Sequence, residues 1–251
     1  MRRYPLFALL TAILGSPSMA QDGPTAMARS YKVGDAGLYS FEMVVTYSGA
    51  EIPGSGAVER TVKEIKPNGD VIFTYTDKGT TYVLNGESGS VPAEPPMTVT
   101  TDKRGKVLSV KRESGTAGMM PESIMKLLAM LSQCVLPEKP VKPGDTWTTQ
   151  FDNPTLKNGK FAVKSTFVGP DKLEDQNYLK VRETVSDLLL DIAEPGSSGL
   201  SAQTLFWIVP ETGRVARLET KVKNLPIPAL GTADLTMKAT VKPLAPKAEA
   251  R

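Results

Sequence analysis

The sequence contains no histidine and a single cysteine among its 251 residues. Without histidine there can be no Ser-His-Asp or Cys-His catalytic group, no His-ligated zinc and no imidazole pH switch. One cysteine excludes an intramolecular disulfide and a metal site built from thiolates alone. These two absences argue against several common classes of enzyme and metalloprotein.

The composition is that of a globular chain of nearly balanced charge. Apolar residues make up 40% and charged residues 23% of the sequence, as in ordinary folded proteins. The 30 Lys and Arg and 27 Asp and Glu give a net charge of +3, without a block of basic residues. We therefore expect no nucleic-acid partner. The 21 Gly and 20 Pro favour short strands joined by turns.

Residues 1–20 have the pattern of a secretory signal. Arg2 and Arg3 precede a short apolar run at 6–14, and small residues lead up to Ala20. The run is shorter than the roughly 18–20 residues that a membrane span needs. We expect cleavage after Ala20, a periplasmic or secreted location, and no transmembrane span in the mature chain. Loss of the two arginines lowers the net charge from +3 to +1.

Apolar and polar residues alternate along most of the chain, which predicts a mainly β, antiparallel fold. A hairpin of 57–65 with 71–76 is expected around 67–70, where Asn-Gly suits a type I′ turn. The stretch 85–96 is too rich in Pro and Gly to be a continuous strand. Further strands are predicted at 38–45, 80–84, 97–101, 106–112, 161–168, 178–185, 200–209, 214–222 and 233–241.

One segment departs from this alternation and predicts a helix at 121–132. Ile124, Leu127, Leu128 and Leu131 fall on one helical face, and a proline stands at the first turn. An isolated helix this short is marginal in water, so its apolar face should pack on the sheet. The flanking segments 21–29 and 243–251 are expected to be flexible and disordered, respectively.

Two sequence markers recur in the same order, which suggests an internal duplication. The Lys-Pro-Gly-Asp-Thr-Trp at 142–147 matches 32–37 at an offset of 110 residues. The turn around Gly213 matches the turn around Gly105 at an offset of 108 residues. The predicted organisation of 30–242 is a single β-rich unit of two pseudo-repeats, 30–118 and 139–242, linked by the helix.

Side chains that could support catalysis have simpler structural explanations. Asp35 and Asp145 could be paired carboxylates, but Gly-Asp before a strand is typical of a turn in which Asp bonds to the following amide. Ser123 and Lys126 have Ser-x-x-Lys spacing without the partner motifs of that enzyme class. No calcium-loop pattern occurs. We therefore predict no catalytic residue, no metal site, no cofactor and no enzymatic activity.

The apolar candidates have two possible roles. Cys134 lies among apolar neighbours and is expected to be a buried, inert thiol. Large aromatic residues on strands usually form the core, but they can also line the site of an apolar ligand. Seven methionines raise the same question because their side chains adapt to irregular apolar surfaces. They are Met43, Met97, Met119, Met120, Met125, Met130 and Met237. The predicted ligand lining comprises Met119, Met120, Leu127, Trp147, Phe206 and Trp207.

The most specific stretch is 136–147, which ends in Lys142-Pro143-Gly144-Asp145-Thr146-Trp147. Together with Asp102, Gly105 and the helix at 121–132, it resembles a class of uncharacterised exported bacterial β-rich proteins. That resemblance implies no known activity. The architecture is more weakly similar to periplasmic lipoprotein carriers and related lipid-binding folds. Such a fold implies a curved antiparallel sheet that wraps a helix over an apolar cavity.

Three hypotheses about function follow. The favoured one is an exported, non-enzymatic binding protein of the cell envelope with an apolar or lipid-like ligand beside the helix. The second is a structural or protein-interaction module, which predicts a filled core and an exposed apolar patch. The third is a carboxylate-dependent hydrolase, which would need two acidic side chains about 5–10 Å apart in a cleft.

Overall fold

The computed structural model of the chain describes residues 23–112, 120–191, 199–227 and 231–244. Within these ranges the chain forms one antiparallel sheet of 12 strands and one α-helix, which confirms the predicted fold class. The signal at 1–20, Met119 and the tail from residue 245 lie outside the described residues.

The strands follow the predicted alternation closely, and several are longer than predicted. The fifth occupies the predicted 97–101. Within the Pro- and Gly-rich stretch 85–96 a short strand forms at 87–91 and the prolines of 92–96 interrupt the ladder, so the stretch is not one continuous strand, as expected. The strands are β1 (Ala36–Tyr47), β2 (Ala50–Ile65), β3 (Val71–Leu84), β4 (Glu87–Val91), β5 (Met97–Thr101), β6 (Val107–Arg112), β7 (Thr146–Asp152), β8 (Lys160–Leu173), β9 (Gln176–Leu188), β10 (Leu200–Ile208), β11 (Val215–Ile227) and β12 (Gly231–Leu244).

The strand order shows two meanders joined by the last strand. The first meander runs β6-β5-β3-β2-β1 and the second runs β11-β10-β9-β8-β7, while β12 lies between β1 and β11. Short β4 pairs with the second half of β3, beside the segment that pairs with β5. The first and last strands of the chain are therefore neighbours in the middle of the sheet.

Helix α1 (Glu122–Leu131) links the two meanders and packs on both. Leu127 and Met130 belong to a core cluster that includes Val110 of the first meander and Phe151 of the second. The predicted apolar face is correct except at one position, because Met130 is buried and Leu128 is only half-buried. The helix therefore covers part of one face of the sheet, which we call the inner face.

The two Lys-x-Gly-Asp turns, which end at Asp35 and Asp145, have the same geometry. In each, Asp Oδ2 accepts a hydrogen bond from the backbone N–H three residues earlier, at 2.7 Å and 2.8 Å. The turn glycines have φ of +85° and +93°, a conformation that favours glycine. The carboxylates thus bond to the start of the turn, and the predicted bond to the following amide is wrong. The matching geometry of the two turns supports the predicted pseudo-repeats, which remain a prediction.

The predicted type I′ turn between β2 and β3 is wrong. Such a turn needs positive φ at both central residues, but here only Gly69 has one, at +88°. The carbonyl of Lys66 accepts from the Gly69 N–H at 2.9 Å, and Asn68 Oδ1 accepts from the Asp70 N–H at 3.1 Å. Pro67 suits the second position of a type I turn, and Gly69 then takes the left-handed conformation of a three-residue hairpin loop.

The N-terminal segment 23–29 is tied to the body, in contrast to the flexible terminus that its composition predicts. Thr25 exchanges backbone hydrogen bonds of 2.7 Å and 2.9 Å with Val141. Met27 is buried in a core cluster. Arg29 donates to the Tyr31 hydroxyl and to the backbone carbonyls of Arg104 and Cys134.

Candidate apolar binding site

The inner face of the central strands carries an apolar surface that α1 does not cover. Val45 of β1 pairs with Leu235 of β12 on one side and with Ile52 of β2 on the other. Directly opposed residues share a face of the sheet, and Leu235 packs against the cluster that contains Leu127 of α1. This row therefore lies on the same face as the helix.

The next rows along β1 extend this surface. Met43 is opposite Met237, and Phe41 is opposite Ala239. On β2 their partners are glycines, and a Cβ at Gly56 would lie 2.6 Å from Cζ of Phe41, so the ring lies flat across the neighbouring strand. All the large side chains of this surface are half-buried. We call them the central apolar strip: Phe41, Met43, Val45, Ile52, Leu235 and Met237.

The structure does not bring the lining predicted from the sequence together. Leu127 and Phe206 are both 0% exposed and belong to two different core clusters. Trp147 is half-buried on the inner face and donates its indole N–H to the carbonyl of Val135 at 2.8 Å. Met120 is half-buried at the start of the helix, and Met119 lies outside the described residues.

Trp207 lies on the outer face, because it directly follows Phe206 on β10 and successive side chains alternate across a strand. Its indole N–H donates to Asp171 Oδ2 at 2.9 Å. Lys180 Nζ and Arg217 Cζ lie 4.7 Å and 5.0 Å from its ring centroid. Hydrogen bonds from Lys180 and Trp207 lower the pKa of Asp171. This closed stack cannot share a ligand site with Phe206.

Sequence reasoning missed most of the strip, although β1 carried a signal. Phe41, Met43 and Val45 alternate with polar or smaller residues, as expected for one face of a strand. Only Met43 and Met237 were considered as ligand contacts. Nothing local indicates that residues near opposite ends of the chain lie side by side.

A buried arginine lies just beyond one end of the strip. Arg60 is 6% exposed, and its guanidinium carbon lies 4.8 Å from the ring centroids of Tyr39 and Phe73 and 5.7 Å from that of Tyr31. No carboxylate pairs with Arg60 in the part of the chain that the structure describes. The strip therefore ends at an aromatic cluster with a buried positive charge.

The lone cysteine is buried beside an acidic residue in the second meander. Glu183 Oε1 accepts from Ser165 Oγ at 2.9 Å and from the Val135 N–H at 3.2 Å. Burial raises the pKa of Glu183 to about 7 and raises that of the Cys134 thiol well above its usual value. A thiol that stays protonated is a poor nucleophile, in agreement with the inert role expected of Cys134.

This carboxyl predicts how stability depends on pH. Folding raises the pKa of Glu183 from 4.5 to about 7. The protonated carboxyl therefore contributes fully to the free energy of unfolding below pH 4.5. That stability is lost as the pH rises through about 7. Glu183→Gln keeps an acceptor oxygen and removes the titration, although Arg29 and Cys134 still face the site. We expect the unfolding free energy of the variant not to show this loss, so that it differs from the wild-type pH dependence by about 1–3 kcal/mol at the alkaline end. Urea unfolding of both proteins across this pH range measures the difference.

The matched control for this experiment is Glu174→Gln, at an exposed turn residue between β8 and β9. It should keep the wild-type dependence of unfolding free energy on pH. An unchanged profile in Glu183→Gln would show that another group is responsible.

Two open clefts lie on the surface, and one of them borders the strip at Phe41. The larger, of about 680 Å³, lies over β12, β1, β2 and the end of β3, with Glu42, Lys78 and Lys238 among its lining residues. The second, of about 520 Å³, is lined by Arg29, Arg104 and the segment after α1. Both linings mix charged and apolar side chains, and neither contains a residue of the ligand lining predicted from the sequence.

Other site types receive no support from the described residues. Within them, no group of three or more Cys, Asp or Glu side chains could hold a metal ion. No helix in that part of the chain is long and apolar enough to cross a membrane. Asp35, one of the two turn carboxylates considered for catalysis, forms an ion pair with Arg214.

No protein-family model matches the chain, and no curated protein matches it in sequence. Among solved structures, it is similar to a protein of Bacteroides fragilis NCTC 9343 described as exported, with a YmcC-like fold. The identity is 14%, the match covers 86% of this chain and 99% of the other, and the TM-score is 0.37.

Two further structures show weaker similarity. One is a domain from Vibrio parahaemolyticus described as an outer membrane lipoprotein-sorting protein (7% identity, 87% and 89% coverage, TM-score 0.26). The other is LprF from Mycobacterium bovis (12% identity, 85% and 90% coverage, TM-score 0.25). TM-scores this low establish neither a common fold nor a common function.

Proposed function

We propose that the mature chain is an exported, non-enzymatic binding protein of the bacterial envelope that holds an apolar, lipid-like ligand on the central apolar strip. The observation that carries this proposal is the strip itself, a contiguous set of half-exposed apolar side chains beside α1. Contiguous exposed apolar surface commonly marks a binding site. The signal pattern at 1–20 supports export to the periplasm or beyond.

The composition of the strip suits a flexible apolar chain. Met43 and Met237 lie opposite each other at its centre, and methionine adapts to ligands of varied shape. From Val45 to Phe41 the strand rises about 13 Å at roughly 3.3 Å per residue. A hydrocarbon chain lying along β1 would contact the strip over this length.

The proposed absence of enzymatic activity rests on the candidate catalytic groups. Asp35 and Asp145 each bond to backbone in a turn, and Cys134 is fully buried. None of these groups is placed as a nucleophile or as an acid–base pair.

A charge placed on the strip tests the proposal. Val45→Glu sets a carboxylate among apolar side chains, which costs binding energy because that charge loses water when a ligand covers it. The neutral fluorescent probe N-phenylnaphthylamine should bind saturably to the delipidated mature chain. We expect Val45→Glu to weaken this binding by at least about tenfold.

The neighbouring residue provides a matched control. Val44 is also half-buried but lies on the outer face, opposite Thr236 and Pro53. Val44→Glu should leave probe binding within about twofold of wild type, since it changes charge without touching the strip. A complete lack of saturable uptake, or equal loss in both variants, would contradict the proposed site and favour a protein-interaction module.

A further inference from the structure

We infer that the ligand is an acidic amphiphile, a long-chain carboxylate whose chain lies on the central apolar strip and whose head group binds Arg60 and Tyr39. This inference rests on the proposed function and adds the chemical class of the ligand.

The strand register leads from the strip to Arg60. After Phe41, the next inner-face residue of β1 is Tyr39, whose partner on β2 is Val58. The next inner-face pair is Gly37 with Arg60. Tyr39 lies about 20 Å along the strand from Val45, at roughly 3.3 Å per residue. A chain extended along β1 therefore reaches the Tyr39 ring, the last side chain before the guanidinium.

No carboxylate of the described residues balances the charge around Arg60. Arg60 and Arg29 are both without a carboxylate partner among the described residues, and each acts electrostatically on the other. Glu183 interacts electrostatically with Arg29, but this carboxyl is itself buried and has a raised pKa. Burying a cation without a counter-charge is costly. A bound anion would offset that cost.

The pKa values of two nearby tyrosines reflect the positive charge of these arginines. Burial acts to raise the pKa of Tyr31, yet its pKa is lowered because Arg29, Arg60 and Arg214 surround it. Burial raises the pKa of Tyr39, so its hydroxyl keeps its proton. An anion is therefore favoured in this cluster, while the tyrosine beside the strip remains a donor.

Hydrogen-bond donors are available for the head group. The Tyr39 hydroxyl is buried and has no hydrogen-bond partner among the described residues. Arg60 bonds to the Tyr75 hydroxyl, which leaves most of its five N–H donors for a ligand. A guanidinium binds a carboxylate through two parallel hydrogen bonds. Arg60 and Tyr39 can thus together satisfy a single carboxylate at the end of the strip.

Two probes of equal chain length test the inference. Oleate and oleyl alcohol share the same hydrocarbon chain and differ in the charge of the head group. We expect the delipidated wild-type mature chain at neutral pH to bind oleate at least about tenfold more tightly than oleyl alcohol. If the wild-type chain binds oleate and oleyl alcohol with equal affinity, the inference is overturned, and no variant is needed to show this.

Substitution of the arginine should abolish this preference. Arg60→Met keeps the apolar stem and removes the charge, so oleate should weaken to the affinity of oleyl alcohol, which itself should not change. Arg217→Met is the matched control, because Arg217 also stacks on an aromatic ring but lies on the outer face. It should retain the preference for oleate. A preference that survives Arg60→Met would also overturn the inference.

The two proposals fail in different ways. If oleyl alcohol binds saturably and oleate binds no more tightly, the apolar site stands and the acidic head-group site does not. If neither probe binds wild type, the proposed function fails as well. Retained binding of oleyl alcohol shows that Arg60→Met is folded.

Discussion

Phe206→Ala should lower the free energy of unfolding by about 3–5 kcal/mol, measured by urea denaturation at fixed pH. The ring is 0% exposed and lies opposite buried Leu218 on β11 and buried Val181 on β9. Removing it leaves a cavity that the flanking strands, held by ladders on both sides, cannot close. The cost therefore includes the cavity as well as the lost apolar burial.

The adjacent Leu205 provides the control. It is half-buried on the outer face, so Leu205→Ala should cost about 1 kcal/mol. If Phe206→Ala costs no more than Leu205→Ala, the ring does not fill the core as described. That result would favour the role predicted from the sequence, in which Phe206 lines a ligand site.

Arg29→Met should lower the free energy of unfolding by about 2–4 kcal/mol. Its guanidinium joins three separate parts of the chain: Tyr31, the β5–β6 turn at Arg104 and the segment after α1 at Cys134. The substitution removes the donor to the Cys134 carbonyl, and a buried unsatisfied acceptor costs about 1–3 kcal/mol. The Arg104 carbonyl still accepts from the Leu136 N–H at 3.0 Å. Relief of the repulsion from Arg60 offsets part of the loss.

The control is Arg217→Met, whose side chain contacts Glu219 and the Trp207 ring on the outer face. That change should cost less than about 1 kcal/mol in the same urea titration. Equal stability losses would mean that the bonds of Arg29 add nothing beyond an ordinary surface contact. Thermolysin digestion gives a second readout, because cleavage before Met27 in the freed 23–29 segment should be faster in Arg29→Met than in wild type.

The sequence predicts this fold well where structure is set by nearby residues. Strand β5 occupies the predicted 97–101, and α1 lies within the predicted 121–132, because alternation and a proline start are local signals. The turn at 67–70 shows the limit. Asn-Gly permits a type I′ turn, but Pro67 also suits a type I turn, and only the structure decides between these two.

The central apolar strip was less predictable because it depends on long-range pairing. The sequence shows that Phe41 and Val45 share a face of β1, but not that Leu235 and Met237 lie beside them. In the run at 205–209 every residue is apolar, so alternation cannot tell the inner from the outer face. On the outer face of this run, Trp207 is covered by Lys180 and Arg217 from the two neighbouring strands.

The central position of β12 has a consequence for the order of folding. The chain is made from its N-terminus, so β12 emerges after the other described strands, and until it does the facing edges of β1 and β11 have no partner among them. Closure then joins residues about 200 positions apart, a contact order that slows folding and leaves open strand edges exposed to other chains. Loss of the C-terminal strand would leave two meanders, each with an open edge ready for intermolecular pairing.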